Sequence, residues 1–284
     1  MATTATRWDI SEAAPRIGAA IRTDKDTLLS GEKRDEIRAL MEERGVVVFP
    51  EINLSDDEQI AFTHMLGTFA HEEGESLMSK DGKDSVYPIT MDKAVNPNAD
   101  YLKGAFYWHI DGTMSEVPIL ASIMSSRSLS KEGGETEFCN TYAAYDELAE
   151  DEKAAIEGIE VDHAMWRSQL YYDPEIAYEK LKALQSRGSN RLPLVWKHAS
   201  GRKSLVLGCT ALQVVGMDIT ESEALLVRLR DWATQPRFVY RHHWKLGDMV
   251  IWDNTGTMHR ALPYDHTSGR LMHRTKLEGE EAFA

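Results

Sequence analysis

The sequence predicts a mainly β fold, a sandwich or a barrel, with a few flanking helices. Short runs of β-branched and aromatic residues recur along the chain between turn-forming residues, and only a few segments have helical periodicity. Many short strands with few helices are typical of two packed sheets or of a barrel. No repeat, low-complexity tract or linker divides the 284 residues, which predicts a single domain over 1–284.

The helices are predicted from apolar periodicity and from capping residues. Residues 31–44 have helical spacing and stop at Gly45, a residue that suits the position after a helix. Ser55 and Glu58 match a capping box, which predicts a helix to about Leu66. Later helices are expected at 151–157, at 173–185 within a helical insertion at about 165–190, and at 220–233, the last with a Thr220/Glu223 capping box.

Strands are predicted where short apolar runs lie between turn residues. They are expected at 46–49, 159–163, 192–198, 204–207, 238–244, 249–252 and 271–277. The Ala-Ser-Gly-Arg segment at 199–202 predicts a hairpin turn. Residues 72–107 have no clear period and contain Gly, Pro, Asn and Asp, so we expect a lid-like insertion there, leading into the first candidate metal ligand.

The composition excludes several classes of partner. A formal net charge of -14 disfavours nucleic acids and anionic membranes, which require basic surfaces. The first residues have no apolar core of a signal peptide, and no long apolar run predicts a membrane span. Cys139 and Cys209 have no metal-binding or redox spacing, so a cytoplasmic protein with reduced thiols is expected. A homo-oligomer, either a dimer or a tetramer, is compatible with the sequence.

The most informative segment is Trp108-His109-Ile110-Asp111-Gly112. On an extended strand, residues i and i+2 point the same way, so His109 and Asp111 can direct an imidazole and a carboxylate to one point. A second histidine would complete the two-histidine, one-carboxylate triad of non-haem Fe(II) oxygenases. A His-x-Asp motif alone is weak, because most such histidines are ordinary core or surface residues.

Nine other histidines are available as the third ligand, and His259 is distinguished by its surroundings. It follows a turn, a buried-looking strand and the residues Asp253-Asn254. Downstream, Arg270 and Arg274 lie four residues apart on a strand-like segment, which places both on one side of it. Two arginines on one side of a strand indicate either an anion-binding site or a solvated edge strand.

These segments in this order resemble the taurine dioxygenase family, which includes the 2,4-dichlorophenoxyacetate dioxygenase. The resemblance covers the strand at 45–49 with its following helix, the His-Ile-Asp motif, Gly133-Gly134-Glu135-Thr136, Trp252-Asp253-Asn254, His259-Arg260 and the terminal arginines. It implies a double-stranded β-helix (jelly-roll, cupin-like) core, mainly β with flanking helices. It also implies dependence on Fe(II), 2-oxoglutarate and O2.

The resemblance further implies three groups of site residues. The iron ligands, and hence the catalytic residues, are His109, Asp111 and His259. The cosubstrate contacts are Thr136, Arg270 for the distal carboxylate of 2-oxoglutarate, and Trp252 as a lining residue. The contacts to the primary substrate are Arg274, with Tyr107 and Trp108 beside the metal motif.

The chemistry suits these residue types. 2-Oxoglutarate is a dianion whose 2-oxo acid end can chelate a metal, so its distal carboxylate needs a separate anchor. The planar guanidinium of Arg270 can bind that carboxylate through two parallel hydrogen bonds, and Thr136 can add a third. The carboxylate of Asp111 disfavours the halogenating relatives, which lack it, so hydroxylation with release of succinate and CO2 is expected.

The primary substrate is predicted only by class. Arg274 predicts a small organic anion, that is a carboxylate, sulfonate or sulfate, and the aromatic residues near the metal motif favour a partly apolar body. Ala105 stands where taurine-type enzymes have a polar residue, which disfavours taurine and favours an aryloxy or alkyl acid. Two alternatives stay open: a zinc-dependent jelly-roll hydrolase with the same three ligands, and a non-catalytic module that binds metal and an organic acid.

Overall fold

A computed structural model describes residues 8–71, 84–97 and 99–284 of the chain. Within these residues the strands are β1 (Asp9–Glu12), β2 (Ala19–Arg22), β3 (Val46–Phe49), β4 (Tyr87–Ile89), β5 (Ala121–Ser128), β6 (Thr136–Asn140), β7 (Glu160–His163), β8 (Asn190–Pro193), β9 (Val195–Lys197), β10 (Lys203–Leu205), β11 (Ala211–Val214), β12 (Val239–His242), β13 (Met249–Asp253), β14 (Thr257–Ala261) and β15 (Leu271–Leu277). The helices are α1 (Lys25–Leu29), α2 (Arg34–Arg44), α3 (Asp56–Leu66), α4 (Thr141–Asp146), α5 (Glu150–Ile156), α6 (Met165–Gln169), α7 (Tyr178–Gln185) and α8 (Ile219–Ala233). No helix among them is both long and apolar enough to cross a bilayer.

A seven-stranded sheet forms one layer of the core, in the order β1-β2-β3-β13-β5-β15-β4. Its neighbouring strands are antiparallel except for β2 and β3. The central strands β3 and β13 are buried along their whole length because both of their faces are covered. One face packs against α1, α2 and α3, and the other faces a second sheet.

The second sheet has three strands in the order β12-β6-β14, and we call it the small sheet. Its inner face meets the large sheet, where Phe138 packs against Trp252 at 5.4 Å between ring centroids. Because side chains alternate along a strand, the neighbours of Phe138 point to the outer face. That outer face packs against a further core that includes β7, β9, β10 and α8. Two facing sheets with helices outside confirm the predicted mainly β, jelly-roll architecture, although the described strands do not close into a barrel.

Local sequence features set several element boundaries as predicted. Helix α2 ends at Gly45, which has φ of 72°, and α3 begins with the capping box of Ser55 and Glu58. Strands β3 and β15 lie at the predicted positions, and β9 and β10 form the predicted hairpin. Each of these features depends on residues close together in the chain, which explains why the sequence is sufficient to predict them.

Other local predictions are wrong in detail. The expected capping box at Thr220 and Glu223 does not form, because Asp218 accepts the backbone N–H groups that open α8. Glu223 instead forms an ion pair with Arg167. The strand expected at 192–198 is two strands, β8 and β9, which belong to different sheets.

The predicted insertions fall on different kinds of structure. Of the segment 72–107, residues 72–83 and 98 lie outside the described residues, and the rest contains β4 and a 3-10 turn at Ala99–Phe106. The segment 165–190 contains α6 and α7, and β8 begins at its end. The single domain and the lid-like role of 72–107 stay predictions.

Candidate metal centre and active site

The two histidines of the candidate triad are brought together by a backbone bridge. The N–H of His109 donates to the carbonyl of His259 at 3.1 Å, and the N–H of His259 donates to the carbonyl of His109 at 2.9 Å. The bridge is isolated, so His109 lies on an extended segment rather than in a named strand, while His259 lies on β14. Their rings lie 4.1 Å apart between centroids. This bridge joins residues 150 positions apart in the sequence.

Asp111 completes the group and faces both histidines. Its Oδ1 lies 3.6 Å from His109 Nε2, and its Oδ2 lies 3.8 Å from His259 Nε2. Ligand atoms from all three residues lie within 4.8 Å of one another. Two metal bonds of about 2.0–2.2 Å span roughly 4.0–4.4 Å, so one ion could join Asp111 to each histidine across the separations of 3.6 and 3.8 Å. The donor set of two imidazoles and one carboxylate fits Fe(II) with open coordination positions.

Hydrogen bonds behind the ligands orient two of them. His109 Nδ1 donates to the carbonyl of Tyr107 at 2.8 Å, which leaves Nε2 with a free lone pair for a metal. Ser122 donates to Asp111 Oδ2 at 3.1 Å, and Asn254 in turn donates to Ser122 at 3.3 Å. The sequence analysis did not identify Ser122, and the sequence offers no signal for it, because its strand contains three further serines.

Trp252 lies behind the third ligand. Its side chain is 1% exposed and its ring centroid lies 4.8 Å from that of His259. Its indole N–H donates to Asn254 at 3.1 Å, so Trp252 joins the hydrogen-bond chain that ends at Asp111. The structure therefore places Trp252 where it positions metal ligands, and its role as a lining of the cosubstrate pocket stays a prediction.

The charge states of the triad suit metal binding. Burial, with a further contribution from the neighbouring His109, lowers the pKa of His259 to about 3, so this imidazole is neutral near neutral pH. Burial of Asp111 opposes its ionisation, but His259, Arg274 and His109 outweigh that effect and hold the pKa of its carboxyl far below the usual range. With His259 neutral, the charges of Arg274 and, to a smaller extent, Lys276 keep Asp111 ionised. Neutral imidazole and ionised carboxylate are the forms that ligate metals.

The predicted cosubstrate arginine, Arg270, is 4% exposed and lies just before β15. Its Nη2 donates to the carbonyl of Gly134 at 3.0 Å, and its guanidinium lies 4.7 Å from the ring centroid of Tyr264. Gly134 has φ of 80°, and a Cβ there would lie 2.8 Å from Arg270 Nε, so only glycine leaves room for this guanidinium. Among the described residues no carboxylate forms an ion pair with Arg270.

Thr136, the predicted partner of Arg270 at the cosubstrate, lies two residues beyond Gly134 on β6. It is buried, and its hydroxyl oxygen accepts a hydrogen bond from the indole N–H of Trp244 at 3.0 Å. Because that oxygen already accepts one bond, the hydroxyl hydrogen remains available to donate to an anion. Trp244 was not among the predicted site residues, and its indole contact depends on pairing between β6 and β12.

Arg274, the predicted substrate arginine, lies on β15 next to the triad. Its Nη1 is 3.9 Å from Asp111 Oδ2, and its guanidinium lies 5.4 Å from the ring centroid of Tyr87. Strand β15 lies between β5 and β4, so the alternative of a solvated edge strand is excluded. The adjacent Lys276 on the same face is 1% exposed and also lowers the pKa of Asp111. The sequence analysis chose Arg274 as a site residue and did not choose Lys276.

Tyr107 and Trp108, the other predicted substrate contacts, lie away from the triad. The side chain of Trp108 lies on the opposite side of the extended segment from that of His109. The guanidinium of Arg260 lies 4.7 Å from the ring centroid of Trp108. Tyr107 donates its hydroxyl to the carbonyl of Tyr171 at 2.8 Å. Both line a cavity whose lining residues include neither the triad nor Arg270 and Arg274. This placement does not support a direct substrate contact, because alternation directs Trp108 away from His109 and the side chain of Tyr107 is bonded to Tyr171.

Comparison with known proteins gives a consistent result over nearly the whole chain. The profile of the family described as "Taurine catabolism dioxygenase TauD, TfdA family" matches residues 9–276. The alpha-ketoglutarate-dependent 2,4-dichlorophenoxyacetate dioxygenase of Burkholderia sp. (strain RASC) is 34% identical over 263 residues, which are 89% of this chain and 87% of that protein. The (S)-phenoxypropionate/alpha-ketoglutarate-dioxygenase of Sphingobium herbicidovorans is 32% identical over 285 residues, 97% of this chain and 96% of that one.

A similar solved structure is that of AAD-2 in complex with Mn(II) and N-oxalylglycine. It has a TM-score of 0.81 and 29% sequence identity, and the match covers 98% of this chain and 99% of that one. The two sheets described above are therefore shared with a protein that binds a divalent metal ion.

Proposed function

Because this chain belongs to the taurine catabolism dioxygenase TauD, TfdA family, we propose that it hydroxylates an aryloxyalkanoate, a small organic acid with an aromatic ether. The protein is a 2-oxoglutarate-dependent dioxygenase that uses Fe(II), 2-oxoglutarate and O2 and releases succinate and CO2. The assignment of roles to individual residues and the choice of primary substrate are the proposal.

One observation supports the proposal above all others: the buried guanidinium of Arg270, just before β15, has no carboxylate partner among the described residues. Burying a charge is costly unless an opposite charge accompanies it, and Arg270 has none among the described residues. A dianion that reaches the metal with one end and Arg270 with the other would satisfy both sites. A zinc hydrolase has no need for such an arginine, whereas a non-catalytic module that binds metal and an organic acid would share it and differs by forming no succinate.

The roles follow from the contacts. His109, Asp111 and His259 would hold Fe(II), with the tautomer of His109 fixed by Tyr107. Bound there, Fe(II) supplies the activation of O2 that couples decarboxylation of 2-oxoglutarate to hydroxylation. The distal carboxylate of 2-oxoglutarate would lie on Arg270 and on the hydroxyl of Thr136. That pair orients the cosubstrate, since a charge-assisted hydrogen bond is worth about 1.5–3 kcal/mol.

The primary substrate would bind on the other side of the triad. Arg274 lies 3.9 Å from Asp111 and beside the ring of Tyr87, so it could hold the carboxylate of a substrate within a few ångströms of the metal. The aryl group would then extend along the face lined by Tyr87. Hydroxylation of the carbon that carries the ether oxygen gives a hemiacetal, which breaks into a phenol and a carbonyl acid.

A substrate screen tests this proposal. We would measure succinate formation by the Fe(II)-loaded enzyme with 2-oxoglutarate and, in parallel, phenoxyacetate, both enantiomers of 2-phenoxypropionate, hexyl sulfate and taurine. The matched control is methyl phenoxyacetate, which keeps the aromatic ether and lacks the charge. We expect the phenoxy acids to stimulate succinate formation together with an equal amount of phenol.

The possible failures are distinct. Stimulation by hexyl sulfate or taurine but not by the phenoxy acids would replace the proposed substrate class and leave the reaction in place. Equal stimulation by the methyl ester would overturn the role of Arg274, because a site built for a charge rejects neutral analogues strongly, by up to about 10^4–10^5.

A further inference from the structure

The cavity lined by Tyr107 and Trp108 lies on the outer face of the small sheet, opposite the triad. Its volume is about 470 Å³, and three of its lining residues, Glu137, Arg241 and Arg260, come from the outer faces of β6, β12 and β14. On β14, His259 points inward and the next residue, Arg260, points outward. The predicted metal site and this cavity therefore share the same strands but not the same face.

The floor of the cavity is a buried carboxylate held between two arginines. Glu137 is 4% exposed, and Arg241 donates to its Oε1 from Nε at 2.9 Å and from Nη2 at 2.6 Å. Arg260 donates to Oε2 from Nε at 2.8 Å, with Nη2 at 2.7 Å. Each guanidinium thus contacts Glu137 through the edge formed by its Nε and Nη2 groups. The Nη1 group of each has no hydrogen bond within the described part of the chain.

The balance of charge in the cavity favours an anion. A third arginine, Arg230, lines it and is paired with the neighbouring Asp231. Three arginines against two carboxylates leave one positive charge, in a chain whose net charge is -14. An acidic protein that gathers arginines in one concave place creates a local positive potential there.

The remaining wall is aromatic and apolar. Tyr107 and Tyr171 lie 5.0 Å apart between ring centroids, and Val239 and Pro236 lie on the same lining. A volume near 470 Å³ is in the range of small-molecule sites, which combine apolar walls with a few polar groups. Tyr107 is one of the aromatic residues that the metal-proximal sequence singled out, and the triad does not use its side chain.

We propose that this cavity is a second binding site for an aromatic carboxylate, separate from the active site. The carboxylate would bind the Nη1 edges of Arg241 and Arg260, and the ring would pack against Tyr107 and Tyr171. Arg260 follows His259 in the chain and lies over Trp108, which precedes His109. A ligand in this cavity would therefore contact both segments that carry the histidines. The inference stands on the cavity itself and does not depend on the proposed substrate.

Ligand binding to a protein with a disabled active site tests this. The probe is 4-fluorophenoxyacetate, followed by 19F NMR and calorimetry without metal or 2-oxoglutarate. In the Arg270→Ala/Arg274→Ala background, which removes the anion contacts of the active site, we expect one binding site to remain. Adding Arg241→Gln should weaken that site about tenfold, the loss of one charge-assisted hydrogen bond.

A second part of the test fills the cavity with a larger side chain. Val239→Trp should block the remaining site, whereas Val215→Trp, a partly exposed valine outside the cavity, should leave it intact. Loss of all binding in the Arg270→Ala/Arg274→Ala background, with native circular dichroism retained, would overturn the proposal. So would binding that neither Arg241→Gln nor Val239→Trp changes.

Discussion

The two faces of the small sheet use similar residues in opposite ways. On the inner side, the buried Arg270 has a backbone carbonyl as its acceptor and no ion pair with a carboxylate among the described residues. On the outer side, the buried Glu137 is matched by two arginines that remain partly exposed. In the outer cluster each arginine has a carboxylate partner, although the two arginines against Glu137 leave one positive charge. The inner arginine requires an anion from outside, and this difference is the physical basis for placing the cosubstrate at Arg270.

The same contrast applies to aromatic residues beside the metal motif. Trp252 faces inward and packs against His259, while Trp108 faces outward under Arg260. Proximity in sequence to a ligand is therefore a poor guide to proximity in space. On an extended segment, the residue directly next to a ligand points to the opposite side.

The largest expected effect comes from removing the carboxylate of Asp111 on the inner face. Asp111→Ala should reduce 2-oxoglutarate turnover by more than about 100-fold, because even contacts that only orient metal ligands are worth 10- to 100-fold. Thermal unfolding should change little, since the side chain is reachable from solvent in the site. The measurements are succinate formation and the melting temperature.

The control is Glu137→Gln, which removes the carboxylate on the outer face. It removes a charge that two arginines share, so it should lower the free energy of unfolding by about 1–3 kcal/mol while iron binding persists. Loss of iron from Glu137→Gln, or wild-type turnover by Asp111→Ala, would contradict the separation of the two faces.

The second prediction separates the two inward arginines. Arg270→Ala should raise the KM for 2-oxoglutarate about 10- to 100-fold, the equivalent of one charge-assisted contact. Arg274→Ala should raise the KM for the primary substrate and spare the slow succinate formation that occurs without it. Steady-state kinetics with varied 2-oxoglutarate and varied primary substrate distinguish the two variants. Equal effects of both variants on uncoupled succinate formation would contradict the roles assigned to the two arginines.

The third prediction concerns a buried histidine outside the triad. Burial lowers the pKa of His163 to about 4, below the ordinary value of 6.5. As the pH falls through 6.5, His163 is therefore protonated in the unfolded chain, whereas in the folded protein it stays neutral until the pH approaches 4. Stability is fully present above pH 6.5 and should fall as the pH drops towards 4, by about 2 kcal/mol between pH 6.5 and 5.

Urea unfolding of the metal-free protein at several pH values measures this effect. His163→Gln should remove that part of the acid sensitivity, whether or not metal is bound, since His163 bonds to Thr210 and lies outside the triad. An unchanged pH slope in His163→Gln would refute it. A slope that depends on metal in both proteins would instead report His259.

The smallest effect is expected from the residue that orients Thr136. Trp244→Phe removes the indole donor at 3.0 Å and should raise the KM for 2-oxoglutarate about three- to tenfold, the range of a neutral hydrogen bond. Trp232→Phe is the matched control, because it removes an indole bond to the carbonyl of Ala144 on the outer side. If both variants change the KM equally, Trp244 has no specific role at the cosubstrate.

The sequence by itself determined the features that depend on near neighbours. The His109-x-Asp111 pair, the four-residue spacing of Arg270 and Arg274, the capping box at Ser55 and the hairpin between β9 and β10 all follow from local spacing. Backbone geometry makes each of these predictable, since strand alternation and helix capping involve residues only a few positions apart.

Only the tertiary structure decided which distant groups meet. Nine histidines were available as the third ligand, and the surrounding residues and the resemblance to a family favoured His259, which the backbone bridge to His109 brings beside it. Strands β5 and β14 were not predicted, because serine, threonine, histidine and arginine interrupt the apolar runs by which the buried β3 and β13 were found. The contact of Ser122 with Asp111 and the outward position of Trp108 likewise depend on long-range pairing, which local preferences do not encode.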